Sequence, residues 1–357
     1  MGSFFLPYLC QNSSVKPDIR KLSSEELRTT LSSWGEKSFR INQVEEWLWE
    51  KNARSFEEMT NLSKELRARM AEHFEFNTIS PDIIQKSSDG TLKIGFRLPE
   101  GYIIEGVLIP TETRVTACIS SQVGCSLSCS FCATGFLKRE RNLFFYEIVD
   151  QVAIINELAI KHYNKPLTNI VFMGQGEPLL NYKEMMLAID KITSPLAMGM
   201  SPSRITVSTA GIAKMIMKLA DDGARFNLAL SLHAATNEKR SAIMPINDTN
   251  TLEDLTEALN YFYQKTGSRV TLEYCVIKDV NDHIQDAEEL AAFCKNIVGK
   301  INLIEYNPID SATYERSSGN RTDRFAKYLE AKHLIVNVRR SRGQDIDAAC
   351  GQLANKN

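Results

Sequence analysis

Three cysteines fall within eight residues in Gly124-Cys125-Ser126-Leu127-Ser128-Cys129-Ser130-Phe131-Cys132. Spacings of four and three on a loop let all three thiols converge on one small object. A structural zinc site normally takes four ligands, and no fourth Cys or His lies nearby in the sequence. Three thiolates on a four-iron cluster leave one iron without a protein ligand, free to chelate a substrate. A zinc site, a ferredoxin-type centre and a chance grouping are the alternatives; the missing fourth ligand and the loop placement count against them. Further along, Met173-Gly174-Gln175-Gly176-Glu177-Pro178 offers close backbone approach at its glycines and a carboxylate, Glu177, suited to an ammonium group. Alone, that turn also reads as a tight strand–helix connection with a capping acid. Near the far end, Cys350 lies in a small-residue segment between Gly343 and Gly351. A lone terminal cysteine is ordinarily incidental.

These residues need a scaffold, and the hydrophobic periodicity supplies one. Residues 18–76 read as helical. Ser23-Ser24-Glu25-Glu26 has capping chemistry and Gly35 closes the first helix. Arg40–Lys51 and Leu62–Phe74 carry apolar residues at helical spacing. From about Ile83 the pattern changes to strands. Thr91–Leu98 and Tyr102–Ile109 flank the turn Pro99-Glu100-Gly101. Strands are expected at Thr116–Ser120, Asn169–Met173, Arg204–Ser208, Phe226–Leu232, Val270–Val276, Ile301–Glu305 and Leu334–Val338. Helical patterns lie between them. Such alternation implies a parallel sheet, either doubly wound or a partial barrel, with ligands at the carboxyl ends of the strands. The cysteine loop and the Glu177 turn both sit at such ends.

The chain has 357 residues, 43% hydrophobic and 24% charged, with a net charge of −2. That composition excludes disordered, collagenous and disulfide-scaffold classes. The apolar opening MGSFFLPYLC lacks a basic flank and carries Pro7, so it does not read as a signal peptide, and a cytoplasmic location with no membrane partner is expected. Clustered cysteines in a reducing compartment point to metal or redox chemistry. Two basic runs stand out: Lys138-Arg139-Glu140-Arg141, and seven Lys or Arg between Arg321 and Arg342. They read either as solvated charged faces or, at the mouth of a site, as phosphate contacts.

The CxxxCxxC loop with Phe131 before its last cysteine resembles the radical S-adenosylmethionine (SAM) superfamily. The ordered set Val123-Gly124-Cys125, Cys132-Ala133-Thr134-Gly135, the Glu177 turn, Ser231-Leu232-His233, Met244-Pro245-Ile246-Asn247, Tyr306-Asn307-Pro308 and the cysteine tail resembles its RNA adenosine methyltransferase branch, of the RlmN and Cfr type. The resemblance covers nearly the whole chain. It implies an α/β fold: a partial (β/α)6 barrel at 113–338, a helical accessory domain at 1–80, a strand and hairpin linker at 81–112, and a mobile cysteine-bearing tail at 339–357. It implies a 4Fe–4S cluster on Cys125, Cys129 and Cys132, with SAM contacts at Gly176, Glu177, Ser208, Ser231, Leu232, His233 and Asn307.

In that branch a first SAM methylates the tail cysteine, here Cys350. A second SAM yields a 5′-deoxyadenosyl radical that takes hydrogen from the S-methyl group. The carbon radical adds to adenine, and a second thiol releases the product by forming a disulfide with Cys350. Cys118 and Glu105 match the positions of that thiol and of the base; read alone, they are a buried strand cysteine and a solvent-facing glutamate. His233 alone could be a metal ligand or base. Cys275 reads as strand core, Cys294 as helix core, and Cys10 matches no motif. The resemblance further implies 23S ribosomal RNA and transfer RNA as substrates, methylation at carbon 2 of adenosine, a monomer, and an external electron donor such as flavodoxin. A Cfr-type carbon 8 methyltransferase and a non-catalytic iron–sulfur RNA-binding protein are the alternatives. Pro178, where Cfr-type sequences tend to carry Ala, and Arg340-Ser341-Arg342-Gly343-Gln344-Asp345 favour carbon 2. The target base must leave its stack to reach such a site.

Overall fold

A computed structural model describes residues 16–355; the apolar opening segment and Cys10 lie outside the described residues. The chain divides into two compact units at Asn77/Thr78. The first holds α1 (Ser24–Ser33), α2 (Ser38–Trp49) and α3 (Lys64–His73). Ser23 and Glu26 form the capping box of α1, which satisfies two backbone donors at the helix start. Leu27, Leu31, Ile41, Val44, Leu48, Leu66 and Met70 are the buried stripe. Trp49 is core, whereas Trp47 is half-buried and donates its indole N–H to Asn61.

The second unit is built on one ten-stranded sheet. Its antiparallel edge comprises β1 (Ser80–Lys86), β2 (Leu92–Arg97) and β3 (Ile103–Pro110), followed by β4 (Val115–Cys118). A two-stranded ribbon, β5 (Gln122–Val123) with β6 (Arg141–Asn142), encloses the cysteine loop. After α4 (Phe145–Tyr163) come β7 (Asn169–Phe172), α5 (Tyr182–Thr193), β8 (Ile205–Thr209), α6 (Ala213–Asp221) and β9 (Asn227–Ser231). Then follow α7 (Asn237–Ile243), α8 (Leu252–Thr266), β10 (Val270–Val276), α9 (Ile284–Cys294), β11 (Gly299–Glu305), α10 (Gly319–Ala331) and β12 (Val336–Arg339). The order is β1-β2-β3-β4-β7-β8-β9-β10-β11-β12, parallel from β4 onward. Six β/α crossovers joining neighbouring strands make the partial barrel. Every residue of β10 is buried, as expected of a strand with both faces covered.

One expectation is corrected. The hairpin is no linker: β2 and β3 continue the sheet, because Ile94, Phe96, Ile104 and Leu108 are fully buried there. β1 begins before the strand pattern expected from about Ile83 and was given no bounds, because nearly all of it is exposed. The tail, expected to be mobile, is docked in this structure. Gly343 donates to Asp89 (2.9 Å), Asp345 accepts from Ser87 (2.6 Å) and from the Ser88 amide (3.0 Å), and Ala348 and Leu353 pack on Val107 and Cys118.

Candidate active site

The cysteine loop folds upon itself. Gly124 has φ +73°, and a Cβ there would come within 2.1 Å of the Lys138 carbonyl oxygen; at Gly135 a Cβ would lie 2.5 Å from that of Cys129. Only glycine permits both approaches. The Cys132 amide donates to Cys129 O (3.3 Å) and the Gly135 amide to Cys132 O (2.9 Å). Cys125, Cys129 and Cys132 are each half-buried and line one cavity. Burial pushes all three thiols up, Cys125 to about 11. Unliganded they stay protonated; a bound metal centre would hold them as thiolates. The donor set fits an iron–sulfur cluster: three soft ligands on one wall of a shared cavity.

The opposite wall comes from the strand ends. Gly174 follows β7 so closely that a Cβ would sit 2.6 Å from Ser120 Oγ, and Gly176, at φ +92°, abuts Gln122. This packing aims Glu177 at the cavity. The buried Glu177 carboxylate accepts from the amides of Leu179 (3.0 Å) and Ala210 (2.7 Å). It is thus both a helix-capping acid and a cavity-wall carboxylate. Burial raises its pKa while those amides oppose the rise. Ser208 and Ser231, on β8 and β9, approach within 3.3 Å through their hydroxyls. His233 takes the left-handed backbone, φ 58°. Its Nδ1 accepts from the Cys275 amide (3.0 Å), and burial, helped by Arg240, lowers its pKa to about 3. His233 is therefore a neutral imidazole with its proton on Nε2, packed edge-on against Phe131 at 4.7 Å.

The tail closes the third side. Cys350 and Gly351 line the same cavity as the loop cysteines. Gly351 O accepts from the Ala133 amide (2.7 Å), next to the last cluster cysteine, and Leu353 O accepts from Thr134 (2.7 Å). Cys350 keeps exposed surface because it faces the cavity, yet dense protein around it raises its thiol, Arg339 pulling the other way. Cys350 also lines a second groove, which contains Cys118 and is rimmed by Arg114, Arg339, Arg340 and Arg342. Burial pushes Cys118 up to about 12, with Cys350 adding to the rise.

The side chains of three expected site residues do not line the cavity. Leu232 is fully buried behind the wall and meets the site only through its neighbours: its amide donates to Glu273 O and its carbonyl accepts from Arg240. Asn307 holds the tail, donating to Cys350 O (3.2 Å). Glu105 lines neither the cavity nor the Cys118 groove; its carboxylate meets the end of the tail. The basic runs are largely paired: Arg339 with Glu273, Arg340 with Glu305, Arg342 with Asp89, and Arg141 with Glu147 and Glu100. Cys275 is a strand residue that also faces the cavity, while Cys294 is buried at the end of α9. Sequence reasoning missed Arg240. Fully buried, it binds the carbonyls of Ala210, Ser231 and Leu232 and the side chain of Asn247, which fixes the ends of β8 and β9. The Met244–Asn247 motif was the available signal for it.

Three thiols on the loop after the first parallel strand, faced by a glutamate turn at the next strand end, define a radical SAM barrel. Residues 119–294 match the radical SAM superfamily, and residues 18–76 match the ribosomal RNA large subunit methyltransferase N-terminal domain. The chain belongs to the RlmN family of RNA methyltransferases. It is 56% identical to a probable dual-specificity RNA methyltransferase RlmN of Cytophaga hutchinsonii, over 98% of this chain and 97% of that one. It is 44% identical to the dual-specificity RNA methyltransferase RlmN of Nitratidesulfovibrio vulgaris, over 94% of each. Its fold is similar to the crystal structure of a radical SAM methyltransferase from Sphaerobacter thermophilus, with TM-score 0.90 and 38% identity, covering 95% of this chain and 100% of that one.

Proposed function

We propose that the protein methylates carbon 2 of adenosine in 23S ribosomal RNA and in transfer RNA, with Cys350 as the methyl carrier. The observation that carries this reading is the position of Cys350, shared between the cavity of the three loop cysteines and the groove of Cys118. When bound, a 4Fe–4S cluster with SAM supplies hydrogen-atom abstraction. Cys125, Cys129 and Cys132 hold that cluster, while Glu177 orients the SAM ammonium, with Gly176, Ser208, Ser231 and His233 lining its site. Neutral His233 offers Nε2–H as a donor and adds no positive charge beside a cationic ligand.

Carbon 2 of adenine is electron-poor, so direct attack on a SAM methyl is not available to it. A methyl first stored on Cys350 and then transferred as a carbon radical avoids that step, at the cost of a covalent protein–RNA link. Cys118 breaks the link by forming a disulfide with Cys350, which covalent catalysis of this kind requires. Arg114 and Arg340 at the groove rim are the phosphate contacts this reading uses, so RNA affinity falls steeply with added salt. An external one-electron donor such as flavodoxin serves a monomeric enzyme. Among the described residues no helix is long and apolar enough to cross a membrane.

The test is direct. Reduced holoenzyme is incubated anaerobically with SAM and each RNA, and the nucleosides are identified by mass spectrometry. 2-Methyladenosine in both RNAs is expected. 8-Methyladenosine would move the chain to the Cfr-type reaction, and no methylated adenosine with no SAM consumption would leave only a binding role.

A further inference from the structure

Tyr306 stands just past the end of β11, is almost wholly buried, and lines the cavity of the three loop cysteines. Its hydroxyl has no hydrogen-bond partner among the described residues. The neighbours hold the ring and the backbone rather than that oxygen. Tyr314 packs edge-on at 6.1 Å, Cys275 and Phe131 share the same apolar cluster, and Arg316 Nε donates to the Tyr306 carbonyl (3.0 Å). Tyr314 is the contrast: its hydroxyl pairs with Ser130 Oγ at 2.9 Å, and it does not line the cavity. Of two tyrosines packed on each other, one has its hydroxyl used within the protein and the other does not.

A buried hydroxyl left without an acceptor is destabilising, and such orphans are rare in native proteins. One in a cavity wall points to an acceptor that the polypeptide does not supply. Burial pushes the Tyr306 phenol up to about 12, with the sulfurs of Cys275 and Cys132 adding to the rise and the Ile309 amide opposing it. At pH 7 it is therefore a neutral O–H donor. An amide can only donate to its oxygen, so the O–H proton remains unclaimed. Of the acidic side chains around it, Cys275, Tyr314 and Cys132 bear on it most. The hydroxyl thus lies toward the cysteine-loop end of the cavity, where Cys132 is a cluster position.

We propose that the Tyr306 hydroxyl is a hydrogen-bond donor to a sulfur of the iron–sulfur cluster, and that it sets how readily the cluster takes up an electron. The proposal rests on the reading of Cys125, Cys129 and Cys132 as cluster ligands. Cluster sulfurs carry negative charge, and reduction adds to it. A donor fixed beside them stabilises the reduced form more than the oxidised one and so raises the midpoint potential. SAM is the other electron-rich occupant of this cavity. The packing of Tyr306 against Phe131 and Cys275, beside Cys132, favours the cluster.

The test uses full-length holoenzyme, reconstituted anaerobically, without RNA. Iron is measured first. The cluster is then titrated at controlled potential while its reduced form is followed by electron paramagnetic resonance. Tyr306→Phe keeps the ring and removes only the oxygen. It should retain about four irons per chain. Its equilibrium constant for reduction should fall about tenfold, a downward shift of about 59 mV for a one-electron couple. Tyr314→Phe should stay within about twofold of wild type, because that hydroxyl is already used by Ser130. SAM affinity, read by calorimetry, should change by less than about threefold in both. An unshifted potential in a fully loaded Tyr306→Phe enzyme would overturn the proposal. Equal shifts in the two variants would do the same, since they would report looser packing. So would a Tyr306→Phe enzyme with the wild-type potential and markedly weaker SAM binding, which would assign the hydroxyl to SAM. Failure of that variant alone to take up iron would mark a structural role and also overturn it. If the wild-type protein takes up no iron, the cluster reading fails and the proposal with it, a result distinct from all the others.

Discussion

The cysteine loop and the C-terminal tail bring thiols to the same cavity from adjoining sides, and they are held by different means. The loop is braced mainly by its own residues, with Ser130 also donating to Ile243 O and Ala133 and Thr134 to the tail. Its glycines let residues 124–138 close on themselves, and the β5–β6 ribbon seals its base. The tail is held by partners far away in sequence: Asp89, Glu105, Thr134, Gln175 and Asn307. A self-braced loop suits a resident cluster that must not shift. A strip held by separate side chains can be released and reseated, which suits a cysteine that passes through methylated, RNA-bound and disulfide states.

The largest expected effect separates the two thiols at the tail. Cys350→Ala should lower methylation by about three orders of magnitude or more and leave no protein–RNA adduct. Cys118→Ala should lower turnover as far but accumulate that adduct, visible as a shifted band on denaturing gels. Indistinguishable behaviour would erase the division of labour between them. Next comes the glycine contrast. Gly135→Ala forces a Cβ onto the Cys129 carbonyl, so iron content after anaerobic reconstitution should fall from about four per chain, the stoichiometry of this cluster class, to well under half of that. Gly351→Ala meets nothing closer than 3.6 Å and pays only for its φ of +82°, about 1–2 kcal/mol. It should keep its iron and lose tail protection only. Equal iron loss in both would contradict the local-versus-distant distinction.

Smaller still is Glu177→Ala. It should weaken SAM binding by on the order of ten- to a hundredfold, the worth of one charge-assisted hydrogen bond, with iron retained; calorimetry reads the first quantity and metal analysis the second. The mildest effect is on pH. Burial holds Cys118 near 12, so at pH 7 it is a thiol, and the attacking thiolate grows roughly tenfold per pH unit. Adduct resolution, measured by single-turnover quenching, should accelerate from pH 7 to 9 without a plateau. A plateau near pH 7 would mean that a neighbouring cation activates Cys118 in the RNA complex.

The same contrast explains what was legible in the sequence. The loop, the Glu177 turn and all seven parallel strands were readable because their signals are local: spacing, glycines and apolar runs. Val270–Val276 is expected and observed with identical bounds. That the side chains of Leu232, Asn307 and Glu105 do not line the cavity was not legible, because motif membership does not say which way a side chain points. The basic run 339–342 read as free charge because its acids, Glu305, Glu273 and Asp89, lie 35 to 253 residues away. Arg240 drew no notice in the sequence; only the fold turns it inward.

The most direct measurement follows the methyl group. Enzyme is loaded with SAM bearing a deuterated methyl, freed of excess SAM, and given RNA with unlabelled SAM for a single turnover. The account predicts that the first methylated adenosine carries deuterium and that the label leaves the Cys350 peptide. An unlabelled first product, with the label still on Cys350 or never bound there, would contradict it.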